Sequence, residues 1–135
     1  MNLKLGDQTM THALIIDDDP GNIGVLQQLL TLEAVTYTAV QDSSQLGQLL
    51  PGMEHIDIVF LDLEMPDVNG YEVFELLKSQ PRLATVPIVA CTVYSEEIHR
   101  AREMGFHSFI SKPLDADRFV VQLESILQQK PVWNG

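Results

Sequence analysis

Cysteine is almost missing from this sequence: Cys91 stands alone among 135 residues, which excludes an intrachain disulfide. Its apolar neighbours mark it as a core thiol, as suits a reducing cytoplasm. Long hydrophobic runs are missing too. Nothing approaches the ~18 unbroken apolar residues of a transmembrane helix, and Met1 to Met10 carries no apolar stretch of the kind a secretory signal uses. Basic residues are scarce, with 8 Lys and Arg against 19 Asp and Glu and a formal net charge of −11. Non-specific nucleic-acid binding depends on Lys and Arg neutralising phosphates, so that class is disfavoured. Most of the acidity reads as solubility. There is no internal repeat, low-complexity tract or interdomain linker, so one domain is expected. At this length folding buries roughly two thirds of the unfolded surface, enough for a core without staples.

What is present is an alternation of two patterns. His12 to Ile16 is short, mostly apolar and runs into Asp17, Asp18 and Asp19, as a buried strand ending at a charged edge does. Pro20 opens a helix with Asp19 as its cap, and Ile23, Leu26, Leu29 and Leu30 follow at helical spacing. Ala34 to Val40 is a second strand. Ser43 or Ser44 is expected to cap a short helix bearing Leu46, Leu49 and Leu50, stopped by Pro51-Gly52. Ile56 to Leu61 is a third strand that meets Asp62. A Pro/Asp/Asn/Gly loop from Glu64 to Gly70 then leads to a helix marked by Val73, Phe74, Leu76 and Leu77. Pro87 to Cys91 is a fourth strand ending at Thr92. Ser95 is expected to cap a helix through Met104, closed by Gly105. His107 to Ile110 is a fifth strand, and Asp115 or a neighbour starts a last helix carrying Phe119, Val120, Leu123, Ile126 and Leu127. Gln128 to Gly135 is expected to fray. Strands alternating with helices imply an α/β fold, a doubly wound parallel sheet of five strands with helices on both faces.

In open parallel sheets, ligands sit beyond the carboxyl ends of the strands. Those ends carry Asp17 to Asp19, Asp62, Thr92 and Lys112. Carboxylates packed together resist joint ionisation unless a cation neutralises them. Clustered oxygens suit a hard divalent ion such as Mg²⁺. Lys112 completes the charge balance, Thr92 can donate a hydrogen bond to a phosphoryl oxygen, and Asp62 can serve as a nucleophile that forms an aspartyl-phosphate.

Four segments then resemble the receiver family of response regulators: Ala13-Leu-Ile-Ile-Asp-Asp-Asp-Pro20, Asp57-Ile-Val-Phe-Leu-Asp-Leu-Glu-Met-Pro66 with Gly70, Pro87-Ile-Val-Ala-Cys-Thr92, and Phe109-Ile-Ser-Lys-Pro113. Each is weak alone; the ordered set is specific. The resemblance spans about residues 11–128, which leaves 1–10 as an N-terminal extension and 129–135 as a C-terminal tail. It implies a flavodoxin-like (βα)5 fold with strand order 2-1-3-4-5. It also implies that Asp62 is the phosphoacceptor, with Mg²⁺ held by Asp17, Asp18, Asp62 and the backbone carbonyl of Glu64, and with Asp18 the more direct ligand. By the same resemblance Thr92 is the switch hydroxyl, Phe109 the switch aromatic and Lys112 the phosphate-sensing cation, with a cis Lys112–Pro113 bond. The implied function is a cytoplasmic, stand-alone response regulator. It is phosphorylated by a histidine kinase or histidine phosphotransfer protein, and it catalyses no reaction but its own phosphorylation and dephosphorylation. Its signal would leave by protein contact through the face of helix 95–104, strand 107–110 and helix 114–128, without direct nucleic-acid binding or membrane insertion.

Some residues depart from the family pattern. Val93 follows Thr92 where a small residue is usual, and Phe106 and His107 are unusual after Gly105. The resemblance also implies that Glu64 and Tyr94, two residues beyond Asp62 and Thr92, flank the path of an attacking water. With Val93 beside them, slow self-dephosphorylation is expected. Two other classes compete. A pseudo-receiver would lack the acceptor set, which is present here. A phosphohydrolase resembling the haloacid dehalogenase family would want an aspartate where Glu64 stands. His12, His55, His99 and His107 show no metal-ligand spacing and read as structural or surface residues.

Overall fold

The computed structural model describes residues 10–53 and 55–134, so the expected N-terminal extension lies almost wholly outside the described residues. The strands are β1 (His12–Ile16), β2 (Thr36–Val40), β3 (Ile58–Asp62), β4 (Ile88–Thr92), β5 (Ser108–Ser111) and β6 (Trp133–Asn134). The helices are α1 (Pro20–Leu32), α2 (Leu46–Leu49), α3 (Gly70–Lys78), α4 (Ile98–Met104) and α5 (Ala116–Leu127). All strand pairs are parallel and the sheet runs β2-β1-β3-β4-β5-β6. The expected five-stranded order is therefore present, with a sixth strand added at one edge.

Strand alternation sorts the apolar residues into two layers. Ala13, Ile15, Ile58, Phe60, Val89, Cys91 and Ile110 face α1 and α5, against Ile23, Leu26, Leu30, Phe119, Leu123 and Ile126. Leu14, Ile16, Val59, Leu61, Ile88, Ala90 and Phe109 face the other side, against Leu46, Leu50, Val73, Phe74, Leu77 and Ala101. The central strands β1, β3 and β4 are apolar on both faces because both faces are covered.

Side-chain caps set the helix starts. Asp19 accepts from the Gly21 N–H at 2.9 Å and Pro20 occupies the first turn. Asn69 caps α3 through the Tyr71 N–H, and Asp115 caps α5 through Asp117 and Arg118. Two expected caps are corrected. Asp42, not Ser43 or Ser44, caps the turn before α2, because its carboxylate accepts from both the backbone N–H and the hydroxyl of Ser44. Ser95 caps nothing; Ser95–Glu97 is a 3₁₀ turn leading into α4. Gly105 does close α4, at φ +105°, where a Cβ would be strained.

Gly70 starts α3 against the end of β3. A Cβ there would lie 3.0 Å from the Leu63 Cα and 3.1 Å from the Asp62 carbonyl oxygen. Backbone cannot swing aside as a flexible side chain can. Gly70→Ala should therefore cost about 1–3 kcal/mol, read as a lower denaturation midpoint in urea. An unchanged midpoint would show that the β3–α3 junction yields freely.

Of the tail expected to fray, residues 128–134 are described and are ordered against the sheet, and Gly135 lies outside the described residues. Trp133 and Asn134 pair in parallel with Phe109 and Ile110. The reason is the same alternation that governs the other strands: Val132 packs on the α1/α5 layer and Trp133 on the opposite one. Gln129, at φ +64°, turns the chain back from α5 to reach the free edge of β5.

Candidate functional site

Period-two side-chain alternation, carried one step past the last core residue of β1 and β3, turns Asp17 and Asp62 to the same side of the sheet. Lys112 follows β5 with the same parity. The three side chains meet there. Lys112 Nζ lies 3.2 Å from Asp17 Oδ2 and 3.3 Å from Asp62 Oδ1. Carboxylate oxygens of Asp17, Asp18 and Asp62 all lie within 4.8 Å of one another. Asp17 and Asp62 are buried, at 2% and 4% exposure, while Asp18 is partly open.

The contacts differentiate the acids. Asp17 uses one oxygen for Lys112 and the other for the Asp19 N–H at 2.9 Å. Asp62 Oδ1 receives Lys112 and, at 3.0 Å, the Glu64 N–H. Asp19 is spent on capping α1 and lies outside the cluster. Burial pushes the Asp62 carboxyl up to about 6 and the charge of Asp17 adds to this, against the pull of the Glu64 N–H and Lys112. Burial also opposes the Lys112 ammonium, but Asp62 and Asp17 outweigh it and its pKa sits above the ordinary value. One ammonium faces three acids, so the set has room for added positive charge. Oxygen donors at this spacing suit a hard divalent cation.

The cluster opens into a cleft of about 640 Å³ lined by Asp18, Asn22, Asp62, Glu64, Val93 and Lys112, among others. Thr92 is fully buried at the end of β4; its hydroxyl accepts the Tyr94 N–H at 3.1 Å, which leaves its own proton to donate. Phe109 is fully buried on the same side of the sheet as the α3 and α4 contacts. The Lys112–Pro113 bond is cis.

Residues 13–124 match the family model of the response regulator receiver domain. The chain belongs to that family. It is the receiver domain of a response regulator, a component of two-component signalling. The receiver is 31% identical over 117 residues to "Polar-differentiation response regulator DivK" of Brucella ovis, covering 84% of this chain and 94% of that protein. Its fold matches the signal receiver domain of a signal transduction histidine kinase from Syntrophus aciditrophicus, with a TM-score of 0.74 and 26% identity over 87% of this chain and 90% of that one. A CheY-like receiver domain protein from Methanospirillum hungatei JF-1 shares the fold with a TM-score of 0.77 and 19% identity, over 90% and 96% of the two chains.

The departures of this receiver acquire physical content. Phe106 stacks on Phe74 with centroids 4.1 Å apart and meets Tyr71 edge-on at 6.0 Å, so it seals the seam between α3 and α4. His107 hydrogen-bonds the Ser108 hydroxyl and is structural; burial lowers its pKa. His12 is held between the hydroxyls of Thr36 and Thr38. Val93 does line the cleft, but Tyr94 lines the neighbouring depression with Tyr71, Glu97 and Arg100. Two features escaped the reading of the sequence. The Glu64 carboxylate accepts the Val93 N–H at 2.9 Å and so ties the β3–α3 and β4–α4 loops together. The Tyr71 hydroxyl donates to Glu97 at 2.6 Å under the Arg100 guanidinium, 4.0 Å from the ring centre. Among the described residues no helix is long and apolar enough to cross a membrane.

Proposed function

We propose that this receiver takes a phosphoryl group on Asp62 from the phosphohistidine of a histidine kinase or a histidine phosphotransfer protein. The observation that carries this is the placement of the Asp62 carboxylate, 3.3 Å from Lys112 at the floor of an open acidic cleft. Oδ1 is engaged by Lys112 and the Glu64 N–H, so Oδ2 is the attacking oxygen. The new bond joins Oδ2 to phosphorus, the phosphorus–nitrogen bond breaks, and its electron pair returns to the donor imidazole. Lys112 balances charge on the transferred group and Thr92 donates its hydroxyl proton to a phosphoryl oxygen. Asp17, Asp18, Asp62 and the Glu64 carbonyl would hold Mg²⁺, which supplies charge neutralisation at the phosphoryl oxygens. Hydrolysis of the acyl phosphate returns Asp62, so the chain turns over no separate substrate.

The signal leaves by protein contact, through α4, β5 and α5, when Thr92 moves toward the phosphoryl group and Phe109 follows it. We place the protein in the cytoplasm, free of membrane and nucleic acid. The single buried thiol and the acidic charge support this.

Acetyl phosphate with Mg²⁺ should add one hydroxylamine-sensitive phosphoryl group, located by mass spectrometry to the peptide holding Asp62. Label on any other residue, or none, would overturn the reading. Asp18→Asn should weaken Mg²⁺ binding. A unit charge about 4 Å from a divalent ion is worth about 2 kcal/mol even in bulk water, so the loss should be at least roughly tenfold. Unchanged affinity in calorimetric titration would remove Asp18 from the site.

A further inference from the structure

Two hydroxyls stand side by side at the carboxyl end of the sheet. Thr92 and Ser111 are partners in the parallel β4–β5 register, two positions beyond Ala90 and Phe109. Side chains two apart on a strand share a face. Both hydroxyls therefore lie on the side covered by α3 and α4, as Ala90 and Phe109 do. The Lys112 N–H donates to the Thr92 carbonyl at 2.9 Å and holds the two strands together at this level.

The two hydroxyls are used unequally. Thr92 Oγ1 accepts the Tyr94 N–H at 3.1 Å. Ser111 Oγ is shut off from solvent and has no hydrogen-bond partner, the only buried side-chain polar atom of which this is true among the described residues. Ser108, on the same strand, shows the ordinary arrangement: its hydroxyl meets the His107 ring at 2.9 Å and the Val132 N–H at 3.0 Å. A buried hydroxyl without a partner is destabilising, and alanine would remove that cost. Packing in this arrangement therefore gives no reason for a serine at position 111. A second arrangement, in which the hydroxyl is used, does.

That arrangement follows from the motion of Thr92. β4 lies between β3, which carries Asp62, and β5, which carries Ser111. A Thr92 hydroxyl that turns to a phosphoryl group on Asp62 moves toward β3, away from β5, and gives up the Tyr94 N–H. The next hydroxyl in the row is that of Ser111. We propose that Ser111 is a positioning residue of the phosphorylation switch: its hydroxyl takes over the Tyr94 N–H when Thr92 turns to the phosphoryl group, and so holds the β4–α4 loop in the switched arrangement. This rests on phosphorylation at Asp62 and assigns a role to a residue outside the cleft. Ser111 never touches the phosphoryl group; it acts through Thr92 and Tyr94.

The test uses the whole chain with Mg²⁺, with and without beryllofluoride as a mimic of the acyl phosphate. One hydrogen bond made only in the switched arrangement is worth about two- to tenfold in an equilibrium constant. Ser111→Ala should bind the mimic weaker by that factor in calorimetric titration, since the mimic favours the switched arrangement. By amide exchange in NMR, the Tyr94 N–H of Ser111→Ala should exchange about two- to tenfold faster than in the wild type with the mimic bound, and no faster without it. The urea midpoint of the mimic-free variant should be unchanged or higher, whereas a serine kept for structure would lower it. Ser111→Thr, which keeps the hydroxyl, should restore mimic affinity and Tyr94 protection. Equal Tyr94 exchange in the mimic-bound wild type and Ser111→Ala would overturn the proposal. So would a lowered mimic-free midpoint with mimic affinity unchanged. A wild type that binds no mimic would overturn the Asp62 reading itself, and this proposal with it.

Discussion

Asp62→Asn is expected to abolish phosphorylation outright and, in the same molecule, to make the cation-free protein more stable at neutral pH. The first effect follows from chemistry. An amide has no anionic oxygen to attack phosphorus, while its volume matches the carboxylate and it still accepts the Glu64 N–H. The second follows from electrostatics. The Asp62 carboxyl sits at about 6 against an ordinary value of 3.8, because it is buried and faces Asp17. Between those values the folded state holds a proton that the unfolded state has lost. Stability therefore falls as pH rises through this window, and the deficit is complete above the folded value.

Two pKa units correspond to roughly 3 kcal/mol. That shift already includes the attraction of Lys112, and solvent at the open mouth of the cleft screens it, so the net gain should be smaller, about 1–2 kcal/mol. Denaturant unfolding in EDTA at about pH 4 and about pH 7.5 reads the difference. The wild type should lose ground to Asp62→Asn as pH rises, and parallel curves would sink the electrostatic account. Excess Mg²⁺ should then restore the wild type more than the variant, since a ligand of the folded state stabilises it by mass action. A fully folded Asp62→Asn protein that still took a hydroxylamine-sensitive phosphate would mean that the acceptor lies elsewhere.

The fold was legible in the sequence because four of the five expected strands, all but Ala34–Val40, end where an apolar run meets a charged or hydroxyl residue. Buried parallel strands announce themselves that way. The convergence of Asp17, Asp62 and Lys112 was legible for the same reason: each follows the carboxyl end of an expected strand, at one edge of the sheet. What was not legible depends on partners distant in sequence. β6 has two residues, too few for a periodicity, and Val132 and Trp133 gain their meaning only from a free edge beside β5. The choice of Asp42 over Ser43 or Ser44 as cap turns on a local geometry that all three residues could supply. Phe106 looked anomalous until Phe74 and Tyr71 were beside it.

Removing the Glu64 charge is expected to shorten the life of the aspartyl-phosphate. Loss of the phosphoryl group needs water to attack phosphorus in line, and the negative charge on the phosphoryl oxygens must be tolerated as the bond breaks. Glu64 stands two residues beyond Asp62 and lines the same cleft. Its carboxylate is held at 2.9 Å by the Val93 N–H, so it cannot simply swing into solvent without breaking that bond. It brings like charge to the phosphoryl group and offers no donor to it. Val93 adds bulk at the mouth of the cleft, whereas Tyr94 faces the adjoining depression and should matter less. The wild-type phosphate should accordingly last minutes or longer. Glu64→Gln keeps an oxygen for the Val93 N–H and removes only the charge; Glu64→Ala removes both. If charge governs the rate, both variants should decay about tenfold faster, a modest effect beside the loss of a full oxyanion donor. If the tie between the loops governs it, only Glu64→Ala will be fast. Val93→Ala should give a smaller acceleration, and Tyr94→Ala the smallest. The measurement is loss of acid-labile phosphate from purified protein at neutral pH in excess Mg²⁺. A wild-type half-life of seconds, or a Glu64→Ala protein no faster than wild type, would refute the argument that this carboxylate holds the signal in place.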